Sequence, residues 1–547
     1  MNRNHYVKQY LPIVCIFLVL LGLIAFNGLM EPRGAEARRA LVTFEMMQNG
    51  DMMKPYLHGH PYFNKPPLYN WVLAFFFTAF GSMSEWVLRL PGVLSLVLTS
   101  LVFYLVGRPY LGKRVAMLGA LASLTATDML FYGSINAGEI DLFYALITSL
   151  QVLAIFWFRQ KEKWLTLFMV SYFLAAIGTL TKGLPSLAFQ ALTLMAYLGY
   201  TRSFKRLFGW QHFVGIGLLV SIVAGYFIVY AQTGDALAFV VNTFKQASQR
   251  SANEYGAMDI ALNLIIFPFE FIQRLLPWSL ALVFLFNKTI RSHIRQNPFI
   301  AFIVVFFLVN IPIYWTAPEL RIRYTYMFFP FCTTLFIWII FKSFELKIKV
   351  QALIKGVLLS AMTLCGIGLI PISAVISDLT IAQYVTLFGS SLLIFYIVYL
   401  HYRSTWNFEG YWSIVFTLVL LRMVYNIVGM PYTSASLPDY SQLTSDMIKT
   451  SAGKPIHYYG RLTSIEPNFS LFGHDFYRHT LLIPQDYSAD FAYYDALYRN
   501  EVMDNTNQIT SGDFYIVSES EWVEGLQPLD TIPNMIGGQN YYFCKGN

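Results

Sequence analysis

Long apolar segments alternate with short polar ones from the N-terminus to about residue 430. Each apolar segment approaches the ~20 residues that an α-helix needs to cross a bilayer. On this length criterion the pattern predicts about thirteen membrane-spanning helices. They are expected at residues 10–29, 86–107, 115–133, 139–158, 165–181, 184–200, 212–231, 262–286, 298–315, 325–342, 354–375, 382–401 and 411–430. The chain is therefore predicted to be a polytopic α-helical membrane protein.

The polar segments predict how the chain is oriented in the membrane. Residues 10–29 are too many for the hydrophobic region of a signal peptide and lack a small-residue cleavage site, so we expect a retained first helix. The basic loops GRPYLGKR, RQKEK, TRSFKR, NKTIRSHIRQ, FKSFELKIK and HYR then all lie on the side of the N-terminus. Basic loops mark the cytoplasmic side, and an odd number of spans places the C-terminus outside.

The more varied polar segments fall on the opposite, outer side. The first outer loop, residues 30–85, contains AEARRALVTFEMMQNGD, which has a helical pattern, and LYNWVLAFFFTAFG, which is apolar but too short to span. We expect both to form interfacial helices at the membrane surface. The other outer segments are INAGEID, TKG, residues 232–260 and TAPELRIRY. Any chemistry is therefore expected at the outer face.

The composition changes at about residue 431. PIHYYGRL, FYIVSES and QNYYFCKG are typical of short strands, and SADFAYYDALYRNE is typical of a helix. Residues 431–547 are numerous enough to form a small α/β domain. We therefore predict a membrane domain over residues 1–430 and, after it, a soluble periplasmic α/β domain with a supporting or acceptor-recognition role.

Composition agrees with this picture and excludes some classes of function. Hydrophobic residues make up 56% of the chain and charged residues only 13%, whereas soluble domains carry about 25% charged residues. The net charge of +7 does not indicate nucleic acid binding, because the cations lie in short loops between the spans. The four cysteines, at positions 15, 332, 365 and 544, have no metal-binding or redox spacing.

Two groups of acidic residues stand at the outer surface. In EPRGAEARRA, which follows the first span, Glu31 and Glu36 accompany three arginines. The group is either a solvated charge cluster or a general base beside cations that hold an anion. In GSINAGEIDLF, Glu139 and Asp141 lie at the outer mouth of the fourth span. They either cap a helix or act chemically, since ionisable residues at this depth are commonly functional.

The stretch HGHPYFNKPPLYNW, residues 58–71, cannot form a regular helix because of its three prolines. The prolines fix the backbone, so Tyr62 and Lys65 are presented at a defined place. Lys65 is either a contact for lipid headgroups or part of a site. We expect His58 and His60 to be surface imidazoles, because His-Gly-His alone is a weak metal signal.

Arginines on the outer side depart from the tendency of basic residues to lie on the cytoplasmic side, and they indicate an anionic ligand. In ELRIRYTY, Arg321 and Arg323 stand beside Tyr324 on the outer side, and Lys182 and Arg250 add two more cations there. The planar guanidinium of arginine is suited to phosphate. Together with the carboxylates they predict a site for a lipid-linked sugar phosphate, whose tail would lie between spans.

At these residues the chain resembles the polyprenyl-phosphate-dependent glycosyltransferases of the GT-C class, specifically the bacterial aminoarabinose (lipid A) transferase and protein O-mannosyltransferase group. The family motif Asp-Glu-x-Arg-Tyr is matched by residues 35–39, Ala-Glu-Ala-Arg-Arg. Its Gly-x-x-Tyr-Phe-Glu-Lys-Pro is matched by residues 59–66, Gly-His-Pro-Tyr-Phe-Asn-Lys-Pro. GTLTKG at residues 178–183 resembles Met-Thr-Lys-Gly, and the resemblance covers roughly residues 10–340.

The resemblance implies an inverting transfer of a sugar from a polyprenyl phosphate to a hydroxyl or phosphate group of the cell envelope. It places the reaction at the outer face of the bacterial inner membrane. The family's leading aspartate is Ala35 here, so the base falls to another carboxylate. The candidates for catalysis are Glu36, Glu139 and Asp141. The candidates for binding the donor phosphate are Tyr62, Lys65, Arg250, Arg321, Arg323 and Tyr324, with Glu31, Arg33, Arg38 and Lys182 in support.

Neither a metal nor another cofactor is predicted. The family glutamate that contributes to a metal site is replaced by Asn64. A transferase is favoured over a lipid-glycan transporter or flippase, because the charges cluster at one face and no internal repeat is present. A degenerate member that binds a lipid-linked glycan without catalysis is the other alternative. Lipid A, a surface glycan and an envelope protein all remain open as acceptors, and so does the sugar.

Overall fold

The computed structural model shows a bundle of long helices followed by a smaller region that contains a β-sheet. It describes residues 3–32, 34–131, 135–248, 256–317, 321–437, 439–460, 462–465, 469–471, 474–476, 481–484, 489–532 and 540–547. Within these ranges, nine helices are long and apolar enough to cross a membrane. The chain is a multi-span helical membrane protein, as its hydropathy predicts.

The membrane part consists of α-helices joined by short turns. Their bounds are α1 Arg3–Ile24, α2 Ala35–Gln48, α3 Leu68–Phe80, α4 Glu85–Leu111, α5 Lys113–Leu124, α6 Thr127–Phe131, α7 Ile140–Gln160, α8 Trp164–Lys182, α9 Pro185–Tyr200, α10 Trp210–Tyr230, α11 Ala236–Ser248, α12 Ala257–Arg274, α13 Lys288–Gln296, α14 Pro298–Asn310, α15 Pro312–Trp315, α16 Phe329–Glu345, α17 Gln351–Leu369, α18 Ile372–Val375, α19 Ile381–Arg403, α20 Tyr411–Val424 and α21 Met430–Ala435. Segments of 3-10 helix occur at Phe204–Phe208, Trp278–Phe286, Ile322–Phe328 and Phe408–Gly410, and a π-helix at Tyr425–Gly429.

Every predicted span coincides with helix, but some are shorter or more broken than expected. The nine segments long enough to cross are Glu85–Leu111, Ile140–Gln160, Trp164–Lys182, Trp210–Tyr230, Pro298–Trp315, Ile322–Glu345, Gln351–Val375, Ile381–Arg403 and Phe408–Thr450. The third predicted span, residues 115–133, is the 12-residue α5 followed by the five-residue α6, and its last two residues lie outside the described residues. The count of thirteen therefore stays a prediction.

Aromatic rings fill the interior of the bundle. The Phe156 ring of α7 lies 5.1 Å from that of Phe299 and 5.0 Å from that of Phe302, both on α14, centre to centre. The Phe302 ring in turn lies 4.6 Å from the Tyr197 ring of α9. Close packing of this kind holds helices together where lipid removes the hydrophobic effect between them.

The predicted outer and inner segments separate to opposite ends of the bundle. At one end, Lys54 of the first outer loop donates from Nζ to the Thr233 carbonyl, 2.8 Å away, in a second outer segment. At the other end, Arg114 and Glu409 approach to 3.4 Å between Nη1 and Oε1, joining two predicted cytoplasmic segments. Segments predicted to share a side of the membrane are thus neighbours in space.

The first outer loop contains a β-hairpin with His58 and Gly59 at its turn. Strands β1, Tyr56–Leu57, and β2, His60–Pro61, pair across this turn. Both turn residues have positive φ, 53° and 76°, as a two-residue hairpin turn requires. The buried Glu45 carboxylate of α2 accepts the two turn N–H groups at 2.7 and 3.0 Å. A helix and a hairpin are thereby fixed to each other.

The expectation of a surface imidazole is wrong for His58. The side chain is 1% exposed, and Nδ1 lies 3.3 Å from the carbonyl oxygen of Met503 in the C-terminal part of the chain. Burial lowers the pKa of His58 to about 4, so the ring is neutral at pH 7. His60 on the other strand is half-buried, as its place at the edge of the hairpin allows.

The C-terminal part of the chain contains a five-stranded mixed sheet with the order β10-β11-β9-β3-β8. Strands β10, β11 and β9 are antiparallel, whereas β9, β3 and β8 are parallel. The strands are β3 Ile456–Tyr459, β4 Leu462–Ile465, β5 Phe469–Leu471, β6 His474–Phe476, β7 Leu481–Pro484, β8 Asn505–Thr506, β9 Phe514–Ser518, β10 Leu526–Ile532 and β11 Tyr541–Gly546. The helices are α22 Tyr440–Thr450 and α23 Ala489–Arg499, with a 3-10 turn at Glu519–Glu521.

Helix α2 is more enclosed than a helix lying on a membrane surface. Ten of its residues, among them Glu36, Arg39 and Glu45, are buried. Helix α23 covers it from the C-terminal side, where the Tyr494 hydroxyl donates to Glu85 Oε1 at 2.8 Å and the Tyr493 hydroxyl to the Met83 carbonyl at 2.6 Å. The C-terminal region therefore closes over the first outer loop and holds polar residues of α2 in the interior.

Candidate active site

Glu139 and Asp141 form the centre of a buried charge cluster at the N-terminal end of α7. Glu139 is the N-cap residue of α7 and Asp141 lies in its first turn, where the helix dipole favours a carboxylate. Lys182, in the last turn of α8, is paired with Asp141. Arg323, in the 3-10 segment before α16, is paired with Glu139, and its Nε lies 3.5 Å from Asp141 Oδ2. Two carboxylates and two cations thus balance each other.

The two ion pairs differ in their access to solvent. The side chains of Asp141 and Lys182 are 4% and 6% exposed, whereas those of Glu139 and Arg323 are 14% and 21% exposed. The inner pair is enclosed by protein, and the outer pair borders the surface. Glu139 is therefore the carboxylate of the cluster that a substrate can reach.

The surroundings of Glu139 make it a stronger base than an ordinary glutamate. Burial raises the pKa of Glu139, and repulsion from Asp141 raises it further, while Arg323 opposes both. A raised pKa brings the carboxylate closer to the range in which it can accept a proton from a hydroxyl group at neutral pH. Glu139 can therefore cap α7 and also act as a base.

Aromatic rings line the cation side of the cluster. Lys182 Nζ lies 4.5 Å from the centre of the Tyr324 ring and 5.0 Å from that of Tyr144. Arg323 Cζ lies 5.7 Å from the centre of the Tyr324 ring. These contacts fix the cations by cation–π attraction. Tyr324, predicted to bind the donor phosphate, therefore adjoins both cations of the cluster.

Glu36 lies beside this cluster in a position that differs from the one expected of a base. Its carboxylate forms a two-point ion pair with Arg89 of α4, at 2.7 and 3.0 Å. It also accepts the N–H of Gly138 at 2.7 Å. The side chains of Glu36 and Arg89 are 4% and 1% exposed. The geometry favours a positioning role for Glu36, which holds the residue before Glu139.

Gly138 is the glycine on which this contact depends. A Cβ atom there would lie 2.8 Å from both Cγ and the carbonyl oxygen of Leu88, and 3.2 Å from Glu36 Oε1. Real Cβ atoms almost never come closer than 3.0 Å to such neighbours. The backbone before Glu139 therefore fits against α4 only because residue 138 has no side chain.

The stretch HGHPYFNKPPLYNW, residues 58–71, borders the cluster through its second half. The Phe63 carbonyl accepts from Asn242 Nδ2 at 3.1 Å, and the Phe63 ring packs on that of Phe239 at 5.7 Å. Farther on, the Tyr69 hydroxyl donates to the Gly138 carbonyl at 3.3 Å. Of the predicted phosphate-binding residues of this stretch, the half-buried Lys65 lies between these two anchors, and the buried Tyr62 directly precedes Phe63.

Glu31, one of the predicted supporting residues, contacts the C-terminal region. Glu31 accepts the N–H groups of Tyr440 and Ser441 at 3.0 and 2.8 Å, so it anchors the start of α22. Glu31 therefore supports the C-terminal region, because its carboxylate accepts hydrogen bonds from the N–H groups at the N-terminus of α22. Arg38 is half-buried and close enough to His58 to affect its pKa, and Arg321 is exposed. Arg33 and Arg250 lie outside the described residues.

Arg422 contacts the segment before Glu139 and was not predicted from the sequence. It is 1% exposed on α20, and its Nη2 donates to Asn136 Oδ1 at 2.8 Å, in the segment that leads to Glu139. Its Nε donates to the Gly22 carbonyl of α1 at 3.1 Å, and Nη1 donates to the Leu130 carbonyl of α6. A basic residue inside an apolar span is rare and commonly functional, so the position of Arg422 in the sequence could have identified it as a candidate.

We expect Arg422→Met to lower kcat about tenfold while the KM for the donor stays within about twofold, a split typical of a displaced catalytic group. The substitution removes the donor that fixes Asn136 and thereby frees the segment before Glu139. Steady-state kinetics in detergent would measure both constants. Arg403→Met, at an exposed arginine on α19, is the matched control and should leave both unchanged. An unaltered kcat in Arg422→Met would contradict the positioning role.

The described residues give no sign of a metal centre. Within them, no group of three or more His, Cys, Asp or Glu side chains is close enough to hold a metal ion. The chemistry that the cluster offers is that of a reachable carboxylate, a second carboxylate that raises its pKa, and neighbouring cations and tyrosines. Such a set can take a proton from a hydroxyl group and stabilise an anionic leaving group.

A family model matches part of the chain. Residues 64–232 match the dolichyl-phosphate-mannose-protein mannosyltransferase family. This range includes Lys65, the acid pair and Lys182. The family resemblance drawn from the sequence motifs is confirmed by this match.

Curated relatives are similar over partial lengths. An uncharacterized protein of Aquifex aeolicus is 24% identical over 277 residues, which is 49% of this chain and 53% of the relative. An undecaprenyl phosphate-alpha-4-amino-4-deoxy-L-arabinose arabinosyl transferase of Edwardsiella ictaluri is 28% identical over 200 residues, 36% of each chain. The chain thus matches about half or less of the length of these relatives.

The solved structures show the same fold over nearly the whole chain. The crystal structure of ArnT from Cupriavidus metallidurans bound to undecaprenyl phosphate superposes with a TM-score of 0.64 and 16% identity, covering 99% of this chain and 98% of that one. The same protein in the apo state gives a TM-score of 0.63. The likeness extends through the C-terminal region, well beyond the residues that the family model matches.

Proposed function

We propose that the protein is a glycosyltransferase that moves a sugar from a polyprenyl-phosphate donor to an acceptor of the cell envelope. The observation that carries the proposal is the pair of carboxylates, Glu139 and Asp141, next to Arg323, Lys182 and Tyr324 at one end of the helix bundle. The family match over residues 64–232 and the ArnT-like fold support it. The relatives named as undecaprenyl phosphate-aminoarabinose transferases suggest a polyprenyl phosphate as the carrier.

In the proposed reaction Glu139 acts as general base. The carboxylate takes the proton of an acceptor hydroxyl as its oxygen bonds to C1 of the donor sugar. The bond from C1 to the phosphate oxygen breaks in the same step, so the configuration at C1 is inverted and polyprenyl phosphate leaves with the electron pair. Cations near the phosphate stabilise the charge that develops on it. A phosphate acceptor would react without help from the base.

We assign the remaining site residues according to their place. Asp141 raises the pKa of Glu139 and orients Lys182 and Arg323, while Glu36 positions the backbone before Glu139. Tyr62, Lys65, Tyr324, Arg321 and Arg323 are proposed to face the donor phosphate, and Arg250 is proposed with them on its sequence position alone. No cofactor is part of the proposed reaction.

The site is proposed to face the periplasm from the bacterial inner membrane. The basic loops place the N-terminus in the cytoplasm, and the outer segments, which converge at the acid pair, on the other side. The C-terminal α/β region, residues 431–547, is proposed to lie outside as well, because its helix α23 contacts Met83 and Glu85 of the first outer loop. An acceptor in the periplasmic leaflet, or beyond it, would then approach from the side of this region.

A transfer assay tests the proposal. The purified protein would be incubated with undecaprenyl phosphates that carry aminoarabinose, mannose or another hexose, with a cell envelope extract as acceptor. Release of undecaprenyl phosphate together with a glycosylated acceptor is the expected result. A protein that moves the lipid across vesicles without releasing undecaprenyl phosphate would instead be a flippase. Lack of release with every donor would overturn the proposal.

A further inference from the structure

Arg39 of α2 is a buried cation whose Nη1 has no hydrogen-bond partner among the described residues. The side chain is 8% exposed, and Nη1 is buried without a hydrogen-bond partner. Among the residues that the structure describes, no carboxylate forms an ion pair with it. Its Cζ lies 5.9 Å from the centre of the Tyr62 ring. An arginine buried without an anion is costly, so such a residue is commonly completed by a ligand.

The nearby carboxylates are already engaged with other groups. Glu36 is paired with Arg89, Glu139 with Arg323, and Asp141 with Lys182. Glu45, which lies farther along α2, accepts hydrogen bonds from two backbone N–H groups of the hairpin turn. Each of these anions therefore has its own donors, and none of them forms an ion pair with Arg39.

Arg39 adjoins the proposed site. The Tyr69 hydroxyl, which donates to the carbonyl of Gly138, lies within electrostatic reach of Arg39 as well as of Glu139 and Asp141. Tyr62, whose ring centre lies 5.9 Å from Arg39 Cζ, belongs to the predicted phosphate-binding stretch.

We propose that Arg39 binds a phosphate group of a substrate, beside Tyr62. A planar guanidinium with free N–H groups is suited to two phosphate oxygens at once. The inference rests on the proposed function, and two sources fit the chemistry: the phosphate of the polyprenyl donor and a phosphate carried by the acceptor. Binding of either would supply the anion that the buried arginine lacks.

The test combines ligand affinity with the thermal stability of the ligand-free protein. Wild type, Arg39→Met and Arg39→Lys would be titrated in detergent with undecaprenyl phosphate, with bisphosphorylated lipid A and with undecaprenol as the uncharged control. We expect Arg39→Met to bind one of the two phosphorylated lipids at least about tenfold more weakly, in the range of a lost charged hydrogen bond. Arg39→Lys should lose less, and undecaprenol binding should not change.

The ligand-free Tm separates a binding role from a structural one. Removing an unpaired buried charge should leave the Tm of Arg39→Met equal to that of wild type or higher. Arg89→Met, the matched control at a buried arginine that is paired, should lower it. A structural arginine at position 39 would lower the Tm in the same way.

The outcomes distinguish the two sources and the failure of the inference. Weaker binding of undecaprenyl phosphate assigns Arg39 to the donor, and weaker binding of lipid A alone assigns it to the acceptor. Unchanged affinity for both lipids overturns the inference, as does a lowered Tm without loss of affinity, or a wild type that binds neither lipid. The transfer assay scores released product instead of binding, so the proposed function can fail or succeed separately.

Discussion

Glu139→Gln is expected to lower the rate of sugar transfer to a hydroxyl acceptor by about a thousandfold, within the range that a general base contributes. Glutamine keeps the size of the side chain and can still accept a hydrogen bond from Arg323, but it cannot take a proton. The affinity for undecaprenyl phosphate should stay close to that of wild type, because the cations remain. Single-turnover release of undecaprenyl phosphate would measure the chemical step directly.

The pH dependence of the wild-type rate should carry the signature of Glu139. Burial and Asp141 raise the pKa of this carboxyl group, and the reaction requires its ionised form. The rate should therefore fall as pH falls, and the fall should be centred above the ~4.3 of an ordinary glutamate. Asp141→Asn removes the repulsive charge, so it should move this acid limb to lower pH.

Glu85→Gln is the matched control for Glu139→Gln. Glu85 stands at the start of α4, at the same end of the bundle, and accepts from the Tyr494 hydroxyl outside the charge cluster. Its substitution should leave the rate and the pH profile unchanged. Retention of more than about a tenth of the activity in Glu139→Gln would exclude this residue as the base. A loss confined to Asp141→Asn would then assign the proton transfer to Asp141.

Charged residues that stand out against apolar neighbours could be identified as candidates from the sequence. Glu139, Asp141, Lys182 and Arg323 interrupt or border apolar runs, and each falls in an outer segment once the basic loops set the orientation. The topology brings these segments to one end of the bundle, so their convergence could be predicted. Which carboxylate pairs with which cation could not, because that depends on the rotation of α7 and α8 about their axes.

Residues whose partners are far away along the chain were beyond sequence reasoning. Arg422 contacts Asn136 across 286 positions, and both lie in or beside segments whose hydropathy indicates only membrane helix. His58 is buried by Met503, 445 positions later, so its environment depends on how the C-terminal region docks. Periodicity and motifs describe one segment at a time, whereas these contacts are properties of several packed segments.

Glu36 illustrates how a motif match and a structure complement each other. The match with the family motif singled out Glu36 as a candidate, but it could not reveal the partner, because Arg89 lies 53 positions away inside a predicted span. A carboxylate that is held by a guanidinium at two points and by a backbone N–H is already saturated by strong donors. Its contribution is therefore expected to concern the position of Glu139 and the stability of the protein.

We expect Arg89→Met and Glu36→Gln each to lower the free energy of unfolding by about 3–5 kcal/mol, since each leaves a buried group without its partner. The pair joins α2 to α4, and Arg89 Nη1 also donates to the Asn27 carbonyl at 2.5 Å. In thermal unfolding the loss should appear as a Tm lower by roughly 3–4 °C.

The double variant Glu36→Gln/Arg89→Met separates the stability of this pair from its effect on the site. It removes both charges together, so it should recover a large part of the lost Tm. Its transfer activity should remain low, because the backbone before Glu139 loses the charged acceptor that held Gly138. A double variant as unstable as the sum of the single ones would show that the two side chains are not coupled. Full activity in that variant would refute the positioning role of Glu36.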